Sequence, residues 1–374
     1  MCPLPSPRHR PPGTGGIRRA VDTDHRRGTC RSRRATLTSR GWRRAGRVPA
    51  RIRAPARRAS LKKEPPIEAR ALLAPERLIR PRLLACDIDG TLLDEHGVLQ
   101  AAVCDAIASI TGSGVHVLLA TGRSPWSGIA ELATRLGLTG PQVTMQGALV
   151  SVPATGEVNR LRAIPPAIYR DAIRFADELG LDPVVGLLDG HRAERLPEDG
   201  ELFVTSMFDG ERFRYVEGLE RLVEERPIRV FLPTGPDCHG TVRRLAVARF
   251  AGRASIIWSD ATGVEILASG THKGEAVAWL AASRGIAPEE VAAVGDAPND
   301  MEMLRWAGRS AAMGSASPEV RACADVVVPA SRDLGVLAAF GWLFPDLGVE
   351  STAPASRRVP RRPIPGPRPE HLSD

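Results

Sequence analysis

Apolar positions are sparse and aperiodic at both ends of the chain and become regular between about residues 80 and 345. Leu83–Cys86 is a short apolar run that stops at Asp87, the pattern of a strand buried on both faces. Leu99, Val103, Ile107 and Ile110 follow at spacings of three and four, which predicts a helix. Val115–Ala120 reads as a second strand, followed by a turn at Thr121–Gly122 and a helix through Ile129, Leu132 and Leu136. Val143–Met145 and Ala148–Val152 read as further strands. Beyond Lys273 a helix carries Ala276, Val277, Leu280 and Ala281. A strand over Val291–Val294 then ends at Gly295–Asp296, and a helix from near Asn299 carries Met303, Leu304 and Ala307. Strands alternating with helices through short connections predict an α/β fold: a doubly wound, Rossmann-like parallel sheet with helices on both faces.

This alternation is interrupted. Between residues 161 and 262, helical stretches such as Tyr169–Leu179 and Thr241–Phe250 alternate with short strands such as Ile228–Leu232 and Ser255–Trp258. The expected organisation is a core formed by 80–160 and 263–345 with an α+β domain inserted at 161–262. Residues 1–79 and 346–374 are rich in Arg, Pro, Gly and Ala. They carry too little apolar surface to offset the entropy of ordering and are expected to be disordered tails.

The formal charge of +8 changes meaning once it is divided. Residues 1–79 hold 21 Lys and Arg against 5 Asp and Glu, whereas residues 80–345 hold 25 against 34. The basic character belongs to the N-terminal stretch, and the body is acidic, which gives no support to nucleic-acid binding by the core. No run approaches the roughly 18 apolar residues of a membrane span, and no apolar segment of a secretory signal follows the N-terminal positive charge. The six cysteines show neither CxxC spacing nor clustering. They read as reduced thiols of a cytoplasmic protein. Lys62, Lys63 and Lys273 are the only lysines, against 48 arginines, so Lys273 is the single lysine of the body.

Two acidic clusters each follow a strand. In Asp87-Ile88-Asp89-Gly90-Thr91, carboxylates two residues apart share one side of an extended backbone, and Gly90 lets the chain turn away. Asp and Gly are also common in plain strand-to-helix turns. In Gly295-Asp296-Ala297-Pro298-Asn299-Asp300, helix capping alone accounts for Asn299 or Asp300. Capping does not account for Asp296 and Asp300 together beside a second acidic strand end. Ligands of open parallel sheets bind beyond the carboxyl ends of the strands. Four carboxylates there would repel unless their pKa values rose or a cation bound. Oxygen donors without thiolate or imidazole favour Mg²⁺ over Zn²⁺. Thr121-Gly122-Arg123 offers a hydroxyl and backbone N–H groups, which fit an anion site, although most such tripeptides are simple turns. Lys273 opens a helix, against the dipole preference, where a compact ammonium has a role that an arginine fork does not fit.

Taken in order, Asp87–Leu93 as DxDGTLL, Thr121 in TGR, Lys273 after the insertion, and Gly295–Asp300 as GDxxND resemble the haloacid dehalogenase superfamily. The similarity is to its Cof-like branch, with a large α+β cap, and covers roughly residues 80–345. Two departures stand near the site mouth: Gln146-Gly147 where the family has Asn-Gly, and Ala312-Met313-Gly314-Ser315-Ala316 where it has AMGNA. The resemblance implies a Mg²⁺-dependent phosphatase acting on a small phosphorylated metabolite, such as a sugar phosphate, a nucleotide or a cofactor phosphate, through an aspartyl-phosphate. It implies Asp87 as nucleophile and metal ligand, and Asp89 as general acid/base with its backbone carbonyl on the metal. Asp296 and Asp300 are then in the metal site, and Thr121, Gly122, Lys273 and Asn299 at the phosphoryl group. Alternatives are a phosphomutase using the same aspartyl-phosphate, and an inactive scaffold whose basic tail binds nucleic acid without sequence preference. The oligomeric state is left open.

Overall fold

The strands at the centre of the first sheet are apolar and buried because helices cover both sides. The computed structural model describes residues 79–94, 96–194, 212–260 and 262–349, together with the strand backbone at Ser356–Arg358. Along the chain the strands are β1 (Leu83–Cys86), β2 (His116–Leu119), β3 (Gln142–Thr144), β4 (Leu149–Val152), β5 (Glu157–Leu161), β6 (Val184–Gly186), β7 (His191–Ala193), β8 (Phe213–Tyr215), β9 (Arg229–Pro233), β10 (Ala254–Ile257), β11 (Gly263–Ala268), β12 (Val291–Gly295), β13 (Arg309–Met313), β14 (Val326–Val328) and β15 (Ser356–Arg358). The longer helices are α1 (Ala101–Gly112), α2 (Ile129–Arg135), α3 (Pro166–Glu178), α4 (Pro236–Phe250), α5 (Lys273–Ser283), α6 (Met301–Trp306) and α7 (Gly335–Leu343).

The first sheet has the order β15-β14-β13-β12-β1-β2 and is parallel except for β15. Alternate residues along each strand enter opposite layers, as the pleat requires. Leu84, Cys86, Ala292 and Val294 pack with Ile107 of α1 and Phe340 of α7. Leu83, Ala85, Val291 and Ala293 pack with Leu280 of α5 and Met303 of α6. Helices on both faces make this the doubly wound α/β sheet that the alternation predicted.

The second sheet has the order β10-β11-β9-β6-β7-β8 and a separate apolar cluster. On one face Val230, Leu232, Val264 and Ile266 pack against Tyr169 and Phe175 of α3 and Phe250 of α4. By the same alternation Arg229, Phe231 and Glu265 project from the opposite face, and all three line the cavity described below. β11 pairs with β9 and β10, so this sheet runs to Ala268, past the expected boundary at 262. The region around 262 is only the hairpin turn between β10 and β11.

Two other expectations meet a different arrangement. The predicted strands near 143–145 and 148–152 form, with β5, a three-stranded antiparallel sheet, which touches the parallel sheet through a parallel bridge from Val143 to Ala120. The chain reverses through Met145 and Gln146, both at positive φ, and this turn makes the antiparallel pairing. The expected disordered tails 1–79 and 346–374 lie largely outside the described residues. Within the second, Ser356–Arg358 pairs antiparallel with β14 at the sheet edge. No helix among the described residues is long and apolar enough to cross a membrane. Cys86, Cys104, Cys238 and Cys323 are free thiols.

Candidate active site

β1 and β12 are adjacent parallel strands paired Cys86 with Val294, so the residues just beyond them emerge side by side. Asp87 leaves β1 and Asp296 leaves β12. The backbone N–H of Asp87 donates to Val294 O at 3.0 Å. Gly90 makes the sharp turn after β1 at φ 75, and a Cβ there would collide with the Asp296 carboxylate. The glycine thus serves both the turn and the approach of a second carboxylate.

Carboxylate oxygens of Asp87, Asp296 and Asp300 lie within 4.8 Å of one another. Lys273, the first residue of α5, is 1 % exposed and lies between two of them. Its Nζ donates to Asp87 Oδ1 at 2.6 Å and to Asp300 Oδ1 at 2.7 Å. Asp300 Oδ2 accepts from the backbone N–H groups of Asp296 and Ala297, both at 3.0 Å. Asp300 therefore braces both the lysine and the turn after β12.

Burial, then the Asp300 and Asp296 carboxylates, hold the Asp87 carboxyl well above the usual range, against the opposing pull of Lys273. Burial, then Asp300, pushes Asp296 up to about 6. For Lys273, burial acts to lower the pKa, but Asp300 and Asp87 overcome it and keep the ammonium charged. Three crowded carboxylates with one ammonium form an oxygen-only donor set whose repulsion a hard divalent cation relieves. The buried Asn299 Oδ1 has no hydrogen-bond partner among the described residues and adds an open acceptor. These residues fit a Mg²⁺ ion.

A cavity of about 350 Å³ opens here. Of the residues singled out in the sequence, Asp87, Asp89, Thr121, Gly122, Lys273 and Asn299 line it. Asp296 and Asp300 stand behind its wall in the carboxylate cluster. Asp89 stays outside that cluster and is paired with Arg123, whose Nε and Nη2 donate to its two oxygens at 2.9 and 2.5 Å. Asn299 Nδ2 donates to Gln146 Oε1 and Ser259 Oγ, both at 2.9 Å, and Lys273 Nζ donates to two carboxylates rather than to Asn299. Arg123 N–H donates to Thr121 Oγ1 at 3.1 Å, folding the loop after β2 on itself.

The sequence reading passed over the far wall. Arg229, Phe231 and Glu265 come from the second sheet, and Ser259 from the turn between its strands. Arg229 and Glu265 form an ion pair at 3.1 Å with both side chains under 10 % exposed. A signal was available: each is a lone charge inside an apolar strand, Ile228-Arg229-Val230-Phe231 and Val264-Glu265-Ile266-Leu267. A charge so placed must find a partner, because burying it alone is prohibitive. His191 of β7 also reaches the core, with Nε2 2.8 Å from Ser124 Oγ. Burial, with Arg229 and Arg192 nearby, holds its pKa far below the usual value, so the ring is neutral.

A family model for haloacid dehalogenase-like hydrolases matches residues 84–340. The chloroplastic endoribonuclease YBEY of Arabidopsis thaliana is 28% identical over 276 residues, covering 70% of this chain but only 46% of that protein. The chain thus spans about half of that relative. The 5-amino-6-(5-phospho-D-ribitylamino)uracil phosphatase YitU of Bacillus subtilis is 26% identical over 270 residues, covering 69% of this chain and 95% of that one. Among solved structures, a haloalkanoate-superfamily phosphatase from Bacteroides thetaiotaomicron superposes with a TM-score of 0.63 at 23% identity, over 75% of this chain and 100% of that one, a likeness of fold. The family match takes in every motif from β1 to the end of the parallel sheet, and the chain belongs to the haloacid dehalogenase-like hydrolases, in their Cof-like branch.

Proposed function

We propose that the chain is a Mg²⁺-dependent phosphatase of a small phosphorylated metabolite, acting through an aspartyl-phosphate on Asp87, with the second sheet as the cap over the site. The observation that carries this reading is the placement of Asp87. It is 4 % exposed at a strand end, bonded to Lys273, clustered with Asp296 and Asp300, and open to the cavity. YitU, named for a phosphorylated metabolite, is similar over nearly its whole length, which supports the same class of substrate.

Asp87 and Asp296 would hold the ion, with Asp300 behind them and the Asp89 backbone carbonyl beside them. Bound there, it supplies positive charge that offsets the repulsion between a carboxylate and an anionic phosphate. In the first step an Asp87 oxygen attacks phosphorus and the bond to the leaving oxygen breaks. The Asp89 carboxyl gives its proton to that oxygen. Thr121, the Gly122 N–H and Lys273 hold the phosphoryl oxygens. In the second step Asp89 takes a proton from water, the water oxygen bonds to phosphorus, and the Asp87 carboxylate leaves with inorganic phosphate released. The pair with Arg123 keeps this half-exposed carboxylate beside the cavity, and the pair must loosen for Asp89 to carry the proton that it gives. The free thiols suit a cytoplasmic location.

The test is phosphate release from a panel of phosphorylated sugars, nucleotides and cofactors, with Mg²⁺ and with chelator. Trapping of labelled substrate should place phosphate on Asp87. Label on a serine or histidine, or full activity in chelator, would overturn the proposal.

A further inference from the structure

Arg229 joins the second sheet to the loop after β2. It leaves β9 on the face turned to the cavity and is 4 % exposed. Its Nη1 donates to Gly122 O at 2.8 Å and to Glu265 Oε2 at 3.1 Å. Its Nη2 donates to Ser124 Oγ at 3.3 Å. Glu265 Oε1 accepts from Gln146 Nε2 at 2.6 Å, and Gln146 Oε1 accepts from Asn299 Nδ2 at 2.9 Å. A buried polar chain therefore runs from the turn after β12, through Gln146 and the second sheet, to the loop that carries Thr121 and Gly122.

We infer that Arg229 is a positioning residue: through Gly122 and Ser124 it holds the Thr121–Ser124 loop in shape to receive an anion, and only while the second sheet is seated on the core. The inference rests on the phosphatase reading for the identity of the anion. Gly122 cannot stiffen the loop by its own side chain, because a Cβ there would meet the Gln146 amide. The loop is held instead by hydrogen bonds: within it from Arg123 N–H to Thr121 Oγ1, from the core turn by Gln146 N–H to Thr121 O and Met145 N–H to Arg123 O, and from the second sheet by Arg229 to the Gly122 carbonyl and Ser124 Oγ. Thr121 Oγ1 already accepts, so its single O–H remains to donate at the cavity wall. Glu265 balances the guanidinium charge, so Arg229 acts on the loop as a bridge. A buried guanidinium is stable only with its acceptors in place. Here the acceptors come from both parts, Gly122 and Ser124 from the core and Glu265 from the second sheet. Lifting the sheet away would strip the core acceptors from Arg229 and untie Gly122 and Ser124 together, while the core turn keeps its bonds to Thr121 and Arg123. Linkage then makes the effect mutual: an anion in the loop favours the seated sheet, and the seated sheet favours the anion.

The experiment compares wild type, Arg229→Met and Arg229→Lys. Calorimetric titration with inorganic phosphate in the presence of Mg²⁺ is read beside kcat on p-nitrophenyl phosphate and thermal melting. Arg229→Met keeps most of the stem and removes every donor. It is expected to weaken phosphate binding by about tenfold and kcat by about thirtyfold, the scale of a lost charge-assisted hydrogen bond and a displaced loop. Arg229→Lys restores one donor and should recover part of both, and it carries the comparison if the methionine variant does not fold. Phosphate affinity and kcat within about twofold of wild type in the methionine variant, or in the lysine variant where the methionine variant does not fold, would overturn the inference, given the size of the bonds removed. So would losses that follow the unfolded fraction and vanish on cooling, since those mark a role in stability alone. A wild-type chain that hydrolyses no phosphate ester would sink the phosphatase reading, while the phosphate titrations would still decide this one.

Discussion

Replacing Lys273 by methionine removes one ammonium from a site that is 1 % exposed and leaves two buried carboxylates facing each other. Removing one partner of a buried charge cluster typically costs about 3–5 kcal/mol. Asp87, already pushed upward by burial, can take a proton and hold the loss toward the lower end. At about 2–4 °C per kcal/mol for a body of this size, the melting temperature should fall by about 10 °C. The pH dependence has a definite sense. The folded pKa of Lys273 lies above its ordinary 10.5, so its stabilisation is fully present below that value and is lost only as pH rises beyond the folded pKa. Wild-type stability from this group is therefore flat near neutrality. In the variant, the orphaned carboxylates favour protonation, so the gap to wild type should narrow from about pH 8 to about pH 5. Lys273→Arg should restore the charge but not the fit, because a planar fork cannot occupy a cavity closed around a compact ammonium. Its kcat should fall by more than about a hundredfold, close to that of the methionine variant. Melting by circular dichroism at both pH values, with phosphate release assays, checks each part. A methionine variant that melts within about 2 °C of wild type at every pH, or an arginine variant with more than about a third of the wild-type rate, would refute the reasoning.

Asp87→Asn should abolish turnover and leave melting unchanged or raised, since an uncharged amide relieves the repulsion with Asp296 and Asp300; residual activity above background would count against Asp87 as nucleophile. Mg²⁺ should raise the melting temperature of the wild-type chain, and Asp296→Ala should remove that shift; an equal shift in both would place the ion elsewhere. Ca²⁺ should inhibit, because it takes more ligands in looser geometry; Ca²⁺-supported turnover at the Mg²⁺ rate would contradict the site. Residues 79–374 expressed alone should retain phosphate release at physiological salt; an insoluble or inactive product would show that residues 1–78 contribute to the fold.

The core half of the site was legible because its residues sit at fixed positions after apolar strands. Asp87, Thr121 and Asp296 each follow a run whose hydrophobicity marks a buried strand, and parallel pairing brings such ends together. Lys273 stood out by its rarity and by its place at a helix start. The far half was not legible in the same way. Arg229 and Glu265 belong to no motif, and they meet only through antiparallel pairing of β9 with β11. Their charge inside apolar strands was the available sign, but it identified neither partner. Arg123 was visible in Thr121-Gly122-Arg123, yet nothing in one dimension says that its guanidinium turns back to Asp89. The strands around 143–152 were placed in sequence but not in a sheet, because positive φ at Met145 and Gln146, ahead of Gly147, leaves no mark in those two residue types. Gln146, noted as a departure from the family pattern, is the residue that spans from Asn299 to Glu265.

The backbone N–H of Asp87 is a rung of the ladder joining β1 to β12. The proposed nucleophile is thus mounted on the sheet itself, and its distance from Asp296 is governed by strand spacing. Local opening cannot separate these two carboxylates without breaking rungs that apolar layers cover on both sides. Amide exchange at Asp87 should therefore report the unfolding of the whole core. The loop at Gly122 should exchange by a smaller and faster opening. The enzyme would then keep its reactive carboxylates assembled between turnovers, and wait only for the anion loop to be held.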